Sequence, residues 1–173
     1  MSTVEINAEV NKKLDEVRAA LASEIAGKGD VCLTCSFQAE DVLLTKLAIA
    51  LDPAIPVLFL DTGYHFRETY DYRDRIAQEW GLNLTNLLPE KTVAEQEAEH
   101  GLLYQTAPDR CCGLRKVEPL FKAVANYRVW ITGLRREQID EVQVPLLRDA
   151  VAIFIRLAEV IAGVEKQHGD FRV

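Results

Sequence analysis

Short apolar segments alternate with amphipathic segments along the chain, and this alternation constrains the fold more than any other feature of the sequence. Strand-forming residues predict strands at 31–35, 57–60, 82–88 and 128–132. Helical segments are predicted before and between these strands, over 10–26, 40–51, 66–80, 93–100 and 114–125. Strands that alternate with helices form a parallel sheet with helices on both faces. We therefore predict a single α/β domain built on a doubly wound, mostly parallel sheet.

The composition narrows the class of protein. With 173 residues, 49% of them apolar and 27% charged, the chain has the makeup of a globular domain. Its net charge of -7 disfavours general nucleic-acid binding, although a local cluster of cations can still bind a small anion. Residues 1–10 are polar and acidic, unlike a signal peptide, and no apolar run reaches the length that crosses a membrane. We expect a cytoplasmic protein with no nucleic-acid or membrane partner.

The segment 145–164 differs from the rest of the chain because Leu, Ile, Val and Ala dominate it. Its pattern predicts one helix with an unusually wide apolar surface. Such a surface is buried either in the protein's own fold or against another chain. This helix is therefore a candidate contact in a homo-oligomer.

The loop of residues 36–41 leaves the first predicted strand and enters a helix. Free N–H groups at the start of a helix bind phosphate or sulfate, and the Ser36 hydroxyl adds a donor. Another interpretation is open, because serine is also a common helix cap. The loop moreover lacks the glycines of a standard phosphate-binding loop.

Asp61, Thr62 and Gly63 follow the second predicted strand, on the side of the sheet where such folds bind ligands. Gly63 permits a close approach of the backbone to a ligand, and the aromatic residues nearby can border a purine. The alternative interpretation is a turn in which Thr62 caps the next helix. His65 in this segment is more typical of a hydrogen-bonded structural imidazole than of a catalytic base.

Gly133 ends the fourth predicted strand, and Arg135 and Arg136 follow it. Two guanidinium groups at a strand end can bind a phosphate or sulfate in forked geometry. A solvated pair of charges is the alternative. The ends of three strands converge on one edge of the sheet, and this convergence favours an anion-binding site more than any single loop does.

Cys111 and Cys112 are adjacent, so they cannot form an ordinary disulfide with each other without backbone strain. Arg110, Arg115 and Lys116 flank the pair, and cations stabilise the thiolate form that binds iron or performs redox chemistry. The pair therefore indicates a soft metal or a sulfur reaction beside a site for an anion. Two small buried residues at the start of a helix are the alternative interpretation.

Cys32 and Cys35 have the spacing of a metal-binding or redox motif, but they belong to the first predicted strand. Residues three apart on a strand point to opposite faces of the sheet. We therefore predict that both thiols contribute to packing and do not share a metal, unless the strand ends before Cys35.

Four motifs follow one another along the chain: Ser-Phe-Gln-Ala-Glu-Asp at 36–41, Leu-Asp-Thr-Gly at 60–63, Cys-Cys-Gly-Leu-Arg-Lys-Val-Glu-Pro-Leu at 111–120 and Trp-Ile-Thr-Gly-Leu-Arg-Arg-Glu-Gln at 130–138. Together they resemble the adenylylsulfate and phosphoadenylylsulfate reductases, roughly over residues 10–138. The resemblance implies an adenine-nucleotide α-hydrolase-like fold with a modified pyrophosphate loop (PP-loop). It also implies an oxidoreductase of sulfate assimilation, and so of cysteine biosynthesis. Such enzymes reduce adenylylsulfate or phosphoadenylylsulfate to sulfite and AMP or PAP, with electrons from thioredoxin or glutathione.

By position, the resemblance implies roles for residues of all four motifs. It assigns the phosphate-sulfate group, the adenosine and the negative charge of the nucleotide to Ser36, Phe37, Gln38, Asp61, Thr62, Gly63, Lys116, Gly133, Arg135 and Arg136. The pair Cys111 and Cys112 is similar to that of the iron–sulfur branch, which favours adenylylsulfate. In that branch the pair supplies two of the four ligands of a 4Fe-4S cluster.

The chain departs from the family pattern after residue 138. It has no cysteine beyond Cys112, whereas the family has a second cysteine pair for the cluster and a catalytic cysteine in its tail. We therefore assign no catalytic residue, and we divide the chain into a nucleotide-binding domain, 1–138, and a divergent C-terminal helical segment of the same unit, 139–173. The hypothesis is a family member that keeps nucleotide recognition and has lost, or borrows, the redox half.

Two alternatives belong to other classes of protein. One is a non-catalytic adenine-nucleotide-binding or partner module that docks through 145–164. The other is an ATP-using pyrophosphatase of the same superfold, which the missing loop glycines and the Cys111–Cys112 pair disfavour. The sequence leaves open whether the substrate carries a 3′-phosphate.

Overall fold

The structure is a computed structural model that describes residues 8–26, 29–133 and 151–154 of the chain. Its helices are α1 (Ala8–Ile25), α2 (Ala39–Leu51), α3 (Arg67–Trp80), α4 (Val93–His100), α5 (Leu103–Thr106), α6 (Pro108–Cys112) and α7 (Glu118–Val124), and a π-helical turn, Gly113–Val117, joins the last two. Its strands are β1 (Val31–Thr34), β2 (Pro56–Leu60), β3 (Asn83–Leu87), β4 (Val129–Thr132) and β5 (Val151–Phe154). In this part of the chain, no helix is long and apolar enough to cross a membrane.

The described strands form one parallel sheet in the order β3-β2-β1-β4-β5. β1 lies in the middle, where Leu33 is beside Val57 of β2 on one side and Ile131 of β4 on the other. The sheet therefore grows in one direction from β1 to β3 and in the opposite direction from β4 to β5. At such a reversal, between β1 and β4, open parallel sheets leave a crevice for ligands at the carboxyl ends of the strands.

Two clusters of buried residues cover the two faces of the sheet. The larger cluster joins alternate strand residues to α1, α2 and α3, and it includes Leu21, Leu33, Leu44, Val57 and Ile131. The smaller cluster joins the intervening strand residues to α7, and it includes Cys32, Leu58, Val124 and Trp130. Because alternate residues of a strand point to opposite faces, helices on both faces confirm the predicted doubly wound α/β fold.

Local signals explain why the helix ends agree well with the prediction. At the start of α4, the Thr92 hydroxyl accepts a hydrogen bond from the Glu95 amide at 3.3 Å, and the Glu95 carboxylate accepts one from the Thr92 amide at 2.8 Å. This reciprocal capping box satisfies two backbone donors. At the end of α3, Gly81 adopts the left-handed conformation that stops a helix, with φ of 63°.

The helix predicted over 114–125 starts earlier and is irregular. Helical structure begins at Pro108 with α6, passes through the π-helical turn and continues into α7. Pro119 lies in the first turn of α7, where a missing N–H group is tolerated. π-Helical turns are rare and are frequently found at functional sites. This one immediately follows Cys111 and Cys112.

The prediction of one helix over 145–164 is wrong at residues 151–154, which form β5. This strand pairs in parallel with β4, with Val151 beside Val129 and Phe154 beside Thr132. Val, Ile and Phe favour strands, and periodicity alone does not distinguish a short apolar strand from a buried helix. The other residues of that segment lie outside the described residues. The docking role of 145–164 and the division of the chain at residue 138 therefore stay predictions.

Candidate functional site

The carboxyl ends of β1, β2 and β4 open into one cavity with a volume of about 840 Å³. The loop after β1 contributes Ser36, Phe37 and Gln38 to its wall, the loop after β2 contributes Thr62, and Gly133 follows β4. The cavity lies where the strand order reverses, and its volume is within the range of small-molecule sites. The predicted convergence of three strand ends is therefore confirmed.

Phe37 anchors the loop that follows β1. Its side chain is buried, and its ring centroid lies 5.6 Å from that of Phe59 and 6.4 Å from that of Tyr72, in edge-on contacts. The backbone of Phe37 is left-handed, with φ of 61°, a conformation that is unfavourable for residues other than glycine. The buried ring offsets this strain and holds the loop against the larger core.

Gln38 immediately precedes α2, and its side chain makes no capping hydrogen bond. The structure assigns the cap position to Gln38, so the interpretation of Ser36 as the helix cap is wrong. A helix start without a side-chain cap leaves N–H groups available to an anion, and the helix dipole adds partial positive charge there.

Asp41, in the first turn of α2, ties this loop to the end of β4. Its carboxylate accepts hydrogen bonds from the Ser36 amide at 2.7 Å, from the Ser36 hydroxyl and from the Gly133 N–H. A Cβ atom at Gly133 would collide with this carboxylate, so the close approach requires glycine. Burial raises the pKa of Asp41, and the hydrogen bonds from Ser36 and Gly133 oppose the rise. In the sequence, no pattern marks the contact between Asp41 and Gly133.

Asp61 holds the loop after β2 in shape. Its Oδ1 accepts hydrogen bonds from the Gly63 N–H at 3.0 Å and from the Tyr70 hydroxyl at 2.6 Å. Gly63 has φ of 75°, and a Cβ atom there would lie 2.7 Å from Cγ2 of Val93. Thr62 lines the cavity, whereas Asp61 and Gly63 do not belong to its described lining. Their predicted contact with adenosine stays a prediction.

The π-helical turn directs two adjacent cations to different places. Arg115 is buried; its Nε donates to the Thr62 carbonyl oxygen, and its Nη1 donates to Gln96 Oε1 at 3.1 Å and to the Lys91 carbonyl oxygen at 3.2 Å. Lys116 is exposed and lines the cavity. Arg115 therefore positions the loop after β2, while Lys116 brings positive charge to the cavity.

Cys111 and Cys112 end α6, just before this turn. Cys111 is buried, and its Sγ accepts a hydrogen bond from the Gln96 side chain at 3.8 Å, whereas Cys112 is exposed; both thiols are free. Within the residues that the structure describes, no group of three or more His, Cys, Asp or Glu side chains could hold a metal ion. The two thiols alone do not fit a four-iron cluster, which requires four ligands.

β1 ends at Thr34, so Cys35 lies in the loop that follows the strand, but the two thiols are still buried on opposite faces of the sheet. Cys32 belongs to the smaller buried cluster and Cys35 to the larger one. Burial raises the pKa of Cys32 to about 12 and the pKa of Cys35 to about 11, so both are neutral thiols at neutral pH. The predicted packing role of the two thiols is confirmed.

Aromatic side chains contribute much of the remaining cavity wall, among them Phe66, Tyr72 and Trp130. Phe66 is 80% exposed, so its ring is accessible to a ligand. His65 also lines the cavity, but its Nε2 lies 2.8 Å from the Leu60 carbonyl oxygen. This hydrogen bond holds the imidazole within its own loop, as expected for a structural histidine.

Arg135 and Arg136 lie outside the described residues. Gly133 is the last described residue before them, and it borders the cavity. The role of the two arginines in anion binding stays a prediction.

Two solved structures share this fold. The chain is similar to the phosphoadenylyl-sulfate (PAPS) reductase of Candida auris, a phosphate complex, with a TM-score of 0.67 and 22% identity over 96% of this chain and 89% of that one. It is also similar to the NH3-dependent NAD synthetase of Campylobacter jejuni, a nitrate complex, with a TM-score of 0.60 and 11% identity over 93% of this chain and 74% of that one. At these identities the similarity concerns the fold alone. It confirms the expected adenine-nucleotide α-hydrolase-like architecture.

Relatives found by sequence are closer. The adenosine 5'-phosphosulfate reductase of Streptomyces coelicolor is 44% identical over 146 residues, which are 80% of this chain and 61% of that relative. The adenosine 5'-phosphosulfate reductase of Rhodococcus opacus is 45% identical over 123 residues, 70% of this chain and 49% of that relative. The chain thus spans less than two thirds of the length of either relative. The model of the phosphoadenosine phosphosulfate reductase domain matches residues 30–144, more than half of the chain, and the chain therefore belongs to this family.

Proposed function

We propose that the cavity binds adenylylsulfate or its 3′-phosphorylated form, and that the chain acts in the thiol-dependent reduction of this substrate to sulfite and AMP or PAP. One observation carries the proposal: the loops after β1 and β2, the end of β4 and Lys116 meet in a single cavity. The relatives named adenosine 5'-phosphosulfate reductase support the choice of substrate.

The start of α2 and Lys116 form the anion-binding part of this site. Ser36 and Gln38 precede the helix and line the cavity together with Lys116. Backbone N–H groups at a helix start and an ammonium group are both suited to phosphate and sulfate oxygens. We assign the phosphate-sulfate end of the nucleotide to this part, with Arg135 and Arg136 as further proposed ligands.

The aromatic wall forms the nucleoside-binding part. Phe66 exposes its ring, and Tyr72 lies in the same wall. A purine is flat and largely apolar on its faces, so it can stack on such rings while its anionic end reaches α2. We assign the adenosine to this wall.

The redox half of the reaction requires a thiolate that attacks the sulfate sulfur, so that AMP leaves and a thiosulfonate is then reduced by a thiol donor. Cys35 borders the cavity, but its pKa of about 11 keeps it protonated at neutral pH. We propose that this chain supplies nucleotide recognition and that the attacking thiol comes from outside it. Thioredoxin or glutathione is the proposed electron donor, and these thiols operate in the reducing cytoplasm.

A 4Fe-4S cluster is proposed only as a shared site. Cys111 and Cys112 would supply two thiolates, and two further ligands would come from another source. Bound to four thiolates, such a cluster would add a redox-active centre. The iron content of aerobically purified protein tests whether this chain alone holds a cluster: we expect no stable cluster, and iron near four atoms per chain would show that two further ligands are present besides Cys111 and Cys112.

Calorimetric titration with AMP and adenylylsulfate tests nucleotide binding. Both nucleotides should bind the wild-type chain, and Lys116→Ala should weaken adenylylsulfate binding by about tenfold, since a cation in the cavity is lost. Lys122→Ala is the matched control, because Lys122 is exposed in α7 and outside the described cavity lining. Absence of binding by the wild-type chain would refute the proposed function.

A separate assay addresses the redox half. Sulfite release from adenylylsulfate is measured with thioredoxin and its reductase, first with the chain alone. We expect binding without turnover. Turnover by the chain alone would show that one of its own four cysteines provides the attacking thiolate, and single Cys→Ser variants would then identify which one.

A further inference from the structure

The carboxylate of Asp41 accepts hydrogen bonds from groups that could otherwise donate to an anionic ligand. Oδ2 of Asp41 accepts hydrogen bonds from both the amide and the hydroxyl of Ser36. The Gly133 N–H, from the end of β4, also donates to this carboxylate. Backbone N–H groups and hydroxyls of this kind bind phosphate and sulfate oxygens in many proteins. In the ligand-free protein, a negative group of the chain itself fills that place.

The position of Asp41 has two consequences. It joins the loop after β1 to the end of β4, because Ser36 and Gly133 bond to the same side chain. It also puts a negative charge into the wall of a cavity that is proposed to bind an anion. Two negative charges in a partly buried site repel each other, and the Asp41 carboxylate loses this repulsion when it binds a proton.

We propose that Asp41 is a positioning residue that holds the loop after β1 against Gly133 in the ligand-free protein and takes up a proton when an anionic nucleotide binds. This inference rests on the proposed function. A protonated carboxyl group can donate a hydrogen bond to an oxygen of the ligand while its second oxygen still accepts one from Ser36. The proton comes from the buffer.

The electrostatic surroundings are consistent with this role. Burial already raises the pKa of Asp41, and the adjacent Glu40 raises it further. Glu68 of α3, Lys116 and His65 also line the cavity, so groups of both charge types face the carboxylate. A bound anion raises the pKa again, so the complex holds more protons than the free protein. Nucleotide affinity should therefore fall as the pH increases.

Calorimetry measures this proton directly. AMP is titrated into the protein at one mildly acidic pH in two buffers that differ in their heat of ionisation, and the difference in heat gives the number of protons taken up. The wild-type chain should take up more protons than Asp41→Asn, which keeps the size of the side chain and an acceptor for Ser36. Because the AMP phosphate also titrates, the same titration is repeated with inorganic sulfate, which stays ionised.

The pH dependence of the affinity gives a second readout. Each unit by which the ligand shifts the pKa corresponds to about a tenfold change in affinity across the titration, and this part of the dependence should be lost in Asp41→Asn. A merely structural role predicts weaker binding at every pH with unchanged proton uptake. Glu79→Gln, an exposed site in α3, is the control for net charge and should behave as the wild type.

The outcomes separate the inference from the function on which it rests. If AMP binds the wild-type chain and proton uptake is the same in Asp41→Asn, the inference is overturned and the proposed function stands. If uptake is lost in Glu40→Gln instead, the assignment to Asp41 is also overturned. If AMP does not bind, the proposed function fails.

Thermal unfolding confirms that Asp41→Asn is folded. If Asp41→Asn does not fold, proton uptake is measured for the wild-type chain alone as it binds inorganic sulfate, which stays ionised. No uptake in that experiment overturns the inference.

Discussion

The buried guanidinium group of Arg115 donates a hydrogen bond to the carbonyl oxygen of Thr62, which lies 53 residues earlier in the chain. The same group also bonds to the Lys91 carbonyl and to the Gln96 side chain, which in turn contacts the Cys111 thiol. The helical segment that carries the adjacent cysteines is thereby joined to the rim of the cavity. A substitution in this helical segment should therefore alter the loop after β2, and a substitution in that loop should alter the helical segment.

Replacement of Arg115 by Ala should lower the free energy of unfolding by about 3 kcal/mol, because buried acceptors lose a charged donor. Arg115→Lys should recover little of the loss, since an ammonium group does not reproduce the fork. Urea unfolding followed by circular dichroism measures the effect. Arg110→Ala is the control, because Arg110 is exposed and bonds only to His100, at 3.3 Å, within the described residues. Equal losses of unfolding free energy in Arg115→Ala and Arg110→Ala would show that the buried hydrogen bonds of Arg115 add no stability.

Gly63→Ala should destabilise the protein, whereas Gly113→Ala should not. At Gly63, a methyl group would meet Val93 Cγ2 at 2.7 Å and an Arg115 nitrogen at 3.0 Å, and φ of 75° is strained for alanine. We expect a loss of more than about 1 kcal/mol. Gly113 is helical with nothing within 4 Å of an added Cβ, so alanine there should add about 0.5 kcal/mol of stability. The midpoints of thermal unfolding should therefore move in opposite directions, and a shift in the same direction would argue against the described geometry.

Phe37→Ala and Phe66→Ala should separate stability from binding. Phe37 is buried among aromatic rings, so its truncation should cost about 3 kcal/mol of unfolding free energy. Phe66 is 80% exposed, so its truncation should change stability by less than about 0.5 kcal/mol while weakening AMP binding. Unfolding curves and AMP titrations of both variants give the comparison. Unchanged AMP affinity in Phe66→Ala would remove that ring from the nucleoside-binding wall.

Alkaline pH should weaken the fold through Cys35. Its pKa is about 11 in the folded protein against an ordinary value of 9.0, so the unfolded chain loses this proton first as the pH rises. The contribution of Cys35 to stability is fully present below about pH 9 and declines as the pH approaches 11. Urea unfolding across this range should show a smaller decline for Cys35→Ala than for the wild type. Cys112→Ala, at an exposed thiol, should follow the wild type, and an identical slope in all three proteins would disprove the contribution.

The alternation of strands and helices was sufficient to predict the fold, because β1 to β4 and the longer helices between them each have a pattern of apolar residues and local end signals. The short helices α5 and α6 lack such a pattern and were not predicted. Gly81 and the capping box of Thr92 and Glu95 are local, so they can be read from the sequence. β5 was missed for the opposite reason. Its four residues, Val151–Phe154, are apolar without a distinct period, and only the neighbouring edge of β4 determines that they form a strand.

The candidate site was predictable in outline but not in its internal contacts. Residues that end parallel strands meet at one edge, so the grouping of Ser36, Thr62 and Gly133 follows from the topology. The hydrogen bonds of Asp41 and Arg115 join residues that are distant in sequence, and no local pattern encodes such pairs. From the sequence alone, Asp41 is only an acidic residue in the first turn of a helix, and Arg115 is only a cation close to the two cysteines.

The π-helical turn at Gly113–Val117 determines the direction, around the helix axis, of the helical residues that follow it. Successive helical residues are rotated by about 100°, so one wide turn determines which of two neighbouring cations enters the interior and which lines the cavity. Deleting a single residue there would rotate the residues on one side of the turn by about 100° relative to those on the other, so the thiol pair, Arg115 and Lys116 could not all keep their present directions. The spacing between the thiol pair and Lys116 is therefore as much a part of this site as the identity of any side chain in it.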